Sequence, residues 1–202
     1  MYGDGAANQG QIWEAANMSK LWSLPNILVC ENNKYGMGTS VSRHSCNPDY
    51  YKQGGVVIPG VRCDGMDVLA VRECFKWAKE YSGNGNGPLF IEVVTYRYHG
   101  HSMSDPGLTY RTRDEVQNVR QNRDPIELLK SKIMDAGFAT EQELKEKEKD
   151  LRGYVQEELK KAKDGKEPPL EELYADIYYQ EVPEFTRGTE VHLSQDFRAA
   201  AQ

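Results

Sequence analysis

The apolar positions of this chain change their spacing about halfway along. Residues 26–31, NILVCE, form a short apolar run behind Pro25, the pattern of a buried strand. Ahead of it, NQGQIWEAANMSKLW sets Ile12, Ala15, Ala16, Ser19 and Trp22 on one helical face, with Pro25 as its stop. VIPGVRC (57–63) reads as a second strand. Asp67 then caps a predicted helix that runs to Tyr81, with Val68, Val71, Cys74, Phe75 and Ala78 at helical spacing and SGNGNG ending it. PLFIEVVTY (88–96) is a third buried strand. Strand and helix alternating in this way predict βαβ units and an α/β fold, a parallel sheet flanked by helices. Such sheets hold ligands at the carboxyl ends of their strands, so the loops after Glu31 and after Tyr96 are the places to look for chemistry.

Past residue 113 the texture becomes helical and charged. DPIELLKSKIMDAG predicts one helix. TEQELKEKEKDLRGYVQEELKKAKDG predicts another, opened by a Thr140/Glu143 capping box and closed at Gly165. Its Leu144, Leu151, Val155, Leu159 and Ala162 make one apolar stripe on a charged cylinder, as expected of an outer helix packed on a core. GKEPPLEELYADIYYQEVPEF has prolines and aromatics without a period and reads as an extended tail suited to lying on a partner. Two regions follow: an α/β domain over 1–113, and a helical and extended C-terminal region over 114–202.

Composition narrows the function classes. Of 202 residues, 39% are hydrophobic and 28% charged, with a formal net charge of −6. A balance this acidic argues against sequence-independent nucleic-acid binding, which requires clustered positive charge. No apolar run approaches the roughly 18 residues that span a bilayer, so no membrane insertion is expected. The four cysteines, Cys30, Cys46, Cys63 and Cys74, contain no C-x-x-C pair, and the expectation is buried, reduced thiols.

Gly3-Asp4-Gly5 carries the first candidate chemistry. It is not a dinucleotide fingerprint, because Asn8 stands where G-x-G-x-x-G needs glycine, and the lysine of a P-loop is missing. Two glycines around an acid permit a tight turn and close ligand approach. The residues after it begin a helix, whose free N–H groups favour an anion. Asp4 could therefore hold Mg²⁺ against a phosphate, with the Asn33 amide oxygen from the next strand end as a second hard donor. The competing reading makes both of them ordinary turn residues. Twenty-six residues separate Gly5 from Asn32, enough for one helix and one strand to bring the second loop beside the first.

G-D-G followed at that distance by N-N resembles the thiamine diphosphate motif of thiamine-dependent enzymes. YGDGAANQGQ, ENNKYGMGTS, RCDGMDVLAVRE, TYRYHGHSMSDPG and YRTR together resemble the alpha subunits of the pyruvate dehydrogenase first component, in order and over essentially the whole chain. The related branched-chain 2-oxo acid dehydrogenase alpha subunits typically carry G-E-G and a different histidine–serine loop. The resemblance implies a thiamine diphosphate-binding fold. It makes Asp4, the Asn33 side chain and the Tyr35 main-chain carbonyl magnesium ligands, and lays the Gly5 and Ala6 N–H groups against the diphosphate. His101 lines the cofactor channel, with a catalytic part in cofactor contact and proton handling. As an H-x-H metal pair, His99 and His101 would lack further ligands nearby.

The same resemblance implies regulation and assembly. Ser102 and Ser40 match family phosphorylation sites, while Thr109 stands where a third serine is expected. A phosphate on Ser102 would add roughly −1.5 to −2 charges to a loop facing an anionic cofactor. Implied partners are a beta subunit in an α2β2 heterotetramer, the dihydrolipoyl acetyltransferase core, and a dedicated kinase and phosphatase. The implied location is the mitochondrial matrix. The activating glutamate of the family belongs to the beta subunit, so no residue here is given that role. Because only Met1-Tyr2 precede Gly3, the expectation is a piece of a longer subunit. A non-catalytic module that binds the beta subunit or the kinase is the alternative.

Overall fold

The computed structural model describes residues 1–174; within the tail expected to be extended from Gly165, Leu170–Tyr174 instead form a 3-10 turn, and the rest of that tail lies outside the described residues. Four parallel strands form the sheet: β1 (Tyr2–Gly3), β2 (Ile27–Asn32), β5 (Gly60–Asp64) and β6 (Leu89–Val94), in the order β1-β2-β6-β5. The register pairs Gly3 with Glu31, Asn32 with Val94, and Asp64 with Val94. All four strands therefore reach one carboxyl edge together. A two-residue antiparallel pair, β3 (Tyr35–Gly36) and β4 (Thr39–Ser40), stands just beyond β2 and leads into the single-turn helix α2 (Val41–His44). The α/β expectation and the parallel sheet both hold.

Helix α1 (Gly10–Leu21) and helix α3 (Val68–Tyr81) cover the sheet. On the central strand β6, alternate side chains divide between them, as the two-residue period of a strand requires. Leu89 and Ile91 pack with Cys63 and Ala78 under α3, whereas Phe90 packs with Ala16 and Ile58 under α1. Burying side chains of this size stabilises by about 1.5–3 kcal/mol each. Asp67 caps α3, accepting from the Leu69 and Ala70 N–H groups.

One charged residue lies in the middle of this apolar strand. Glu92 has no exposed surface. Its carboxylate accepts from Asn32 Nδ2 at 2.8 Å, the Tyr51 N–H at 3.2 Å and Arg62 Nε at 3.2 Å. A buried charge without such partners would cost several kcal/mol, so the strand positions of Asn32 and Arg62 are tied to it.

Several boundaries differ from the expectation. The strand expected at 57–63 begins at Gly60, because residues 50–58 instead turn tightly around Gly54. There a Cβ would lie 2.1 Å from the Ile58 carbonyl oxygen. Helix α1 starts at Gly10, after a separate 3-10 turn over Ala6–Asn8, and it buries only part of its expected face: Ala16 and Ser19 are buried, while Trp22 is 58% exposed. SGNGNG does not stop α3 abruptly. The helix widens through Ser82–Asn86 and ends where Gly85 and Gly87 take positive φ. Of the cysteines, Cys30 and Cys63 are buried and Cys74 is half-buried, but Cys46 is exposed.

The chain divides into two compact units at Leu144/Lys145. The first includes α4 (Arg113–Arg123) and α5 (Pro125–Asp135), because their polar residues bond to the α/β layer. Arg123 pairs with Asp64 at 2.6 Å and Lys132 with Asp67 at 2.8 Å. Helix α6 (Glu141–Asp164) opens with the expected capping box: Glu143 N–H donates to Thr140 Oγ1 and Thr140 N–H to the Glu143 carboxylate. On its apolar stripe, Leu151, Val155 and Leu159 are about half exposed. Among the described residues, no helix is long and apolar enough to cross a membrane.

Candidate functional site

Asp4 is the first residue past β1 and Asn33 the first past β2, on neighbouring strands of the same edge. They line one cleft of about 560 Å³. Gly5, Ala6, Tyr35 and His101 line it too, so the six residues expected around a cofactor come together.

Asp4 is only 2% exposed. Its Oδ1 accepts from the Gly5 N–H at 2.8 Å, while Oδ2 is buried without a hydrogen-bond partner. Burial pushes its pKa up, against the lowering pull of the Gly5 N–H, His44 and Arg97. A buried carboxylate oxygen with no partner is costly and is satisfied well by a cation. At Gly3 a Cβ would meet nothing within 4 Å, which leaves open space beside Asp4. The available donors are all oxygens: the Asp4 carboxylate, the Asn33 amide and the Tyr35 carbonyl. A donor set of this kind suits magnesium rather than a soft metal. The residues present therefore fit a hard cation held against an anionic group.

Two of those oxygens already accept one bond each. Asn33 Oδ1 takes the Tyr35 N–H at 3.3 Å, the turn expected of an asparagine, and the Tyr35 carbonyl takes Arg97 Nη1 at 3.3 Å. Each keeps a second lone pair for a ligand. Gly5 has an ordinary helical φ of −64°, so its smallness serves packing rather than a left-handed turn. A Cβ at Gly5 would lie 3.3 Å from the Gly36 Cα, at the point where the Asp4 and Tyr35 turns touch.

Sequence reading missed the residues that hold this edge together. Asn8 Nδ2 donates to the Asp4 carbonyl at 3.3 Å and lies 3.1 Å from His44 Nδ1. Arg97 reaches the Met37 carbonyl at 2.6 Å and the Tyr110 hydroxyl at 3.1 Å, and brings positive charge to the cleft. Arg111, only 6% exposed, donates to the carbonyls of Gly107, Arg97, Tyr98 and His99. Its guanidinium also lies over the rings of Tyr35, Tyr96 and Tyr110 at 5.3–5.8 Å. Glu115 accepts from the Tyr35 and Tyr96 hydroxyls; burial first, and Glu115 second, push the Tyr96 pKa up to about 12. Arginines set among tyrosines, Y-R-Y at 96–98 and Y-R at 110–111, were the available signal.

The loop carrying His101 is exposed but strongly braced. Asp105 Oδ2 accepts from the His101 N–H at 2.7 Å and the Tyr110 hydroxyl at 2.8 Å, and Oδ1 from the Gly107 N–H at 2.8 Å. The His101 N–H leads the causes that hold the Asp105 pKa below the usual carboxylate range. A Cβ on Gly100 would lie 2.0 Å from the Asp105 carbonyl oxygen, so the loop closes only on glycine. Ser102 is exposed, its Oγ 3.1 Å from Ser104 Oγ, and Thr109 is exposed on the same loop. Ser40 lies outside this loop, half-buried ahead of α2, with its Oγ 3.1 Å from Ser42 Oγ. Among the described residues, no three His, Cys, Asp or Glu side chains converge on a metal-sized site, so His99 and His101 gain no third ligand.

The family model for the dehydrogenase E1 component matches residues 1–171. The chain belongs to the dehydrogenase E1 component family. It is 55% identical, over all of its length, to the probable pyruvate dehydrogenase E1 component subunit alpha of Caenorhabditis elegans, covering 51% of that protein. To the type II alpha subunit of Ascaris suum it is 54% identical over 98% of its length, covering 50% of that protein. To the human somatic-form alpha subunit it is 54% identical over 93% of its length, covering 48%. The chain thus spans about half the length of the curated relatives it matches.

Proposed function

We propose that the chain forms the magnesium–diphosphate half of a thiamine diphosphate site in the alpha subunit of a mitochondrial pyruvate dehydrogenase first component. The observation that carries this reading is the buried, unpartnered Asp4 Oδ2 at a strand end, beside Asn33 and open space at Gly3. Asp4, the Asn33 amide and the Tyr35 carbonyl would hold Mg²⁺, and the backbone at Gly5 and Ala6 would lie along the diphosphate. Arg97, already pinned by three carbonyls and Tyr110, would offset the anionic charge without moving. His101 would stand at the reacting end of the cofactor and handle protons there.

Thiamine diphosphate, when bound, supplies the electron sink that lets a 2-oxo acid lose CO₂. The residues of this chain hold and orient it and keep its charge compensated. The implied overall reaction is oxidative decarboxylation of pyruvate with transfer of the acetyl group to a lipoyl carrier, giving acetyl-CoA within the complex. A beta subunit completes the site in an α2β2 heterotetramer, with the acetyltransferase core, a kinase and a phosphatase as further partners in the matrix. Ser102, Ser40 and Thr109 are the candidate phosphorylation positions.

A further reading is a non-catalytic module that binds the beta subunit or the kinase. Reconstitution with a beta subunit, thiamine diphosphate and Mg²⁺, followed by CO₂ release from pyruvate and from branched-chain 2-oxo acids, separates them. Pyruvate-selective release is expected. Magnesium-dependent binding without turnover would leave the module, and absence of binding would overturn both.

A further inference from the structure

A second cluster of reactive groups lies away from the cofactor cleft, where β5 meets α3. Cys63 is the next-to-last residue of β5 and Cys74 sits in the middle of α3. Eleven positions apart in sequence, they form no recognisable motif. Packing α3 on the sheet brings them into one apolar cluster, where Cys63 Sγ lies 3.8 Å from its neighbour's carbonyl, that of Asp64. Both residues line a separate open cleft of about 380 Å³, walled also by Val61, Ala70 and Trp77. Cys63 is 5% exposed and Cys74 half-buried, so a small solute in the cleft meets Cys74 first.

We propose that Cys63 and Cys74 are a dithiol pair that closes to an intramolecular disulfide by exchange with a low-molecular-weight disulfide, fastening β5 to α3. Cysteines that share one packed cluster and line one cleft can meet through side-chain rotation and small backbone shifts that reach a bonded geometry. In the first step the Cys74 thiolate attacks one sulfur of the small disulfide. That bond breaks, one small thiolate leaves, and Cys74 carries a mixed disulfide. In the second step Cys63 gives up its proton to solvent and its sulfur attacks the Cys74 sulfur. The protein disulfide forms and the second small thiolate leaves. The dithiol loses two electrons and two protons, and the small disulfide is reduced to two thiols.

Burial raises the pKa of both thiols, that of Cys63 up to about 12, so the more exposed Cys74 is the first to exchange and the buried Cys63 is the slow, resolving partner. A disulfide here would close a loop that includes the Asp64–Gly65 turn and the Asp67 cap of α3, both tied to later helices through Arg123 and Lys132. Closing that loop restrains the unfolded chain and should raise the melting midpoint.

The test starts from the reduced full chain, exposes it to oxidised glutathione, quenches in acid and alkylates the remaining thiols. The expected result is a mass lower by two hydrogens, two thiols still alkylated, and a tryptic pair joining Cys63–Arg72 to Glu73–Lys76. Cys46→Ser should keep this product, and Cys74→Ser should abolish it. Four alkylated thiols, a linkage through Cys30 or Cys46, or a stable glutathione adduct on Cys74 without closure would each overturn the proposal. As a second measure, oxidation should raise the melting midpoint of wild type but not of Cys63→Ser; no rise in wild type would contradict the fastening role.

Discussion

The two loops that face each other across the cleft satisfy their polar groups in opposite ways. The Asp4 turn is buried yet under-satisfied, with one carboxylate oxygen facing nothing. The His101 loop is exposed yet heavily bonded, with Asp105 taking three hydrogen bonds and Arg111 donating to four carbonyls. Buried groups are normally the better satisfied, so the inversion is informative. The first loop is incomplete without a ligand. The second is complete by itself, and its order rests on charges that another charge can disturb.

The largest effect should come from the incomplete loop. Asp4→Ala should weaken magnesium-dependent binding of thiamine diphosphate by at least about 100-fold, the upper end of what losing even an outer-shell partner of a metal costs. Titration calorimetry on the protein reconstituted with its beta subunit reads this directly, and an unchanged affinity would reduce Asp4 to a turn residue.

Next is the hub of the complete loop. Arg111→Ala removes a buried cation that holds four carbonyls, and should cost about 2 kcal/mol or more in stability while exposing the His101 and Gly107 amides to exchange. Arg111→Lys should recover little of this, because a single ammonium cannot span the same acceptors. Thermal melting and hydrogen exchange measure the two parts, and full recovery by lysine would break the contrast between the loops.

Asp105 should show a smaller, pH-dependent effect. Its folded pKa lies below the usual carboxylate value, so its bracing is fully present above about pH 4 and is lost as pH falls through that lowered value. Amide exchange of His101 and Gly107 should accelerate across that acid window in wild type. In Asp105→Asn it should already be fast at neutral pH. A phosphate on Ser102, three residues away, should loosen the same amides by like-charge repulsion.

The smallest effect separates ligand binding from folding. Asp4→Asn removes a buried carboxylate whose charged form burial disfavours, so the metal-free protein should gain up to about 1 kcal/mol in melting stability even as it loses cofactor affinity. A destabilised variant would indicate that Oδ2 has a structural partner.

Much of this was legible from periodicity. The runs at 26–31 and 88–96 could only be buried strands, and Asp67 caps the helix expected of it. Asp4 and Asn33 fell on strand-end loops, Tyr35 and His101 came only from the family resemblance, and the fold brings all four to one cleft. What could not be read depends on packing between distant segments. Glu92 sits in an apolar run that hides its need for Asn32 and Arg62, and α1 ends short of burying Trp22. The Cys63–Cys74 pair has no spacing signature, because a strand–helix crossing creates it.

The most direct test of the cradle is a double-variant cycle on Asp4→Asn and Asn33→Ala, reading magnesium-dependent thiamine diphosphate affinity in the reconstituted assembly. If both hold the same ion, the double variant should lose little more than the worse single one, a coupling of about 0.5–3 kcal/mol. Losses that simply add would mean that Asp4 and Asn33 act independently, and would contradict a shared magnesium site.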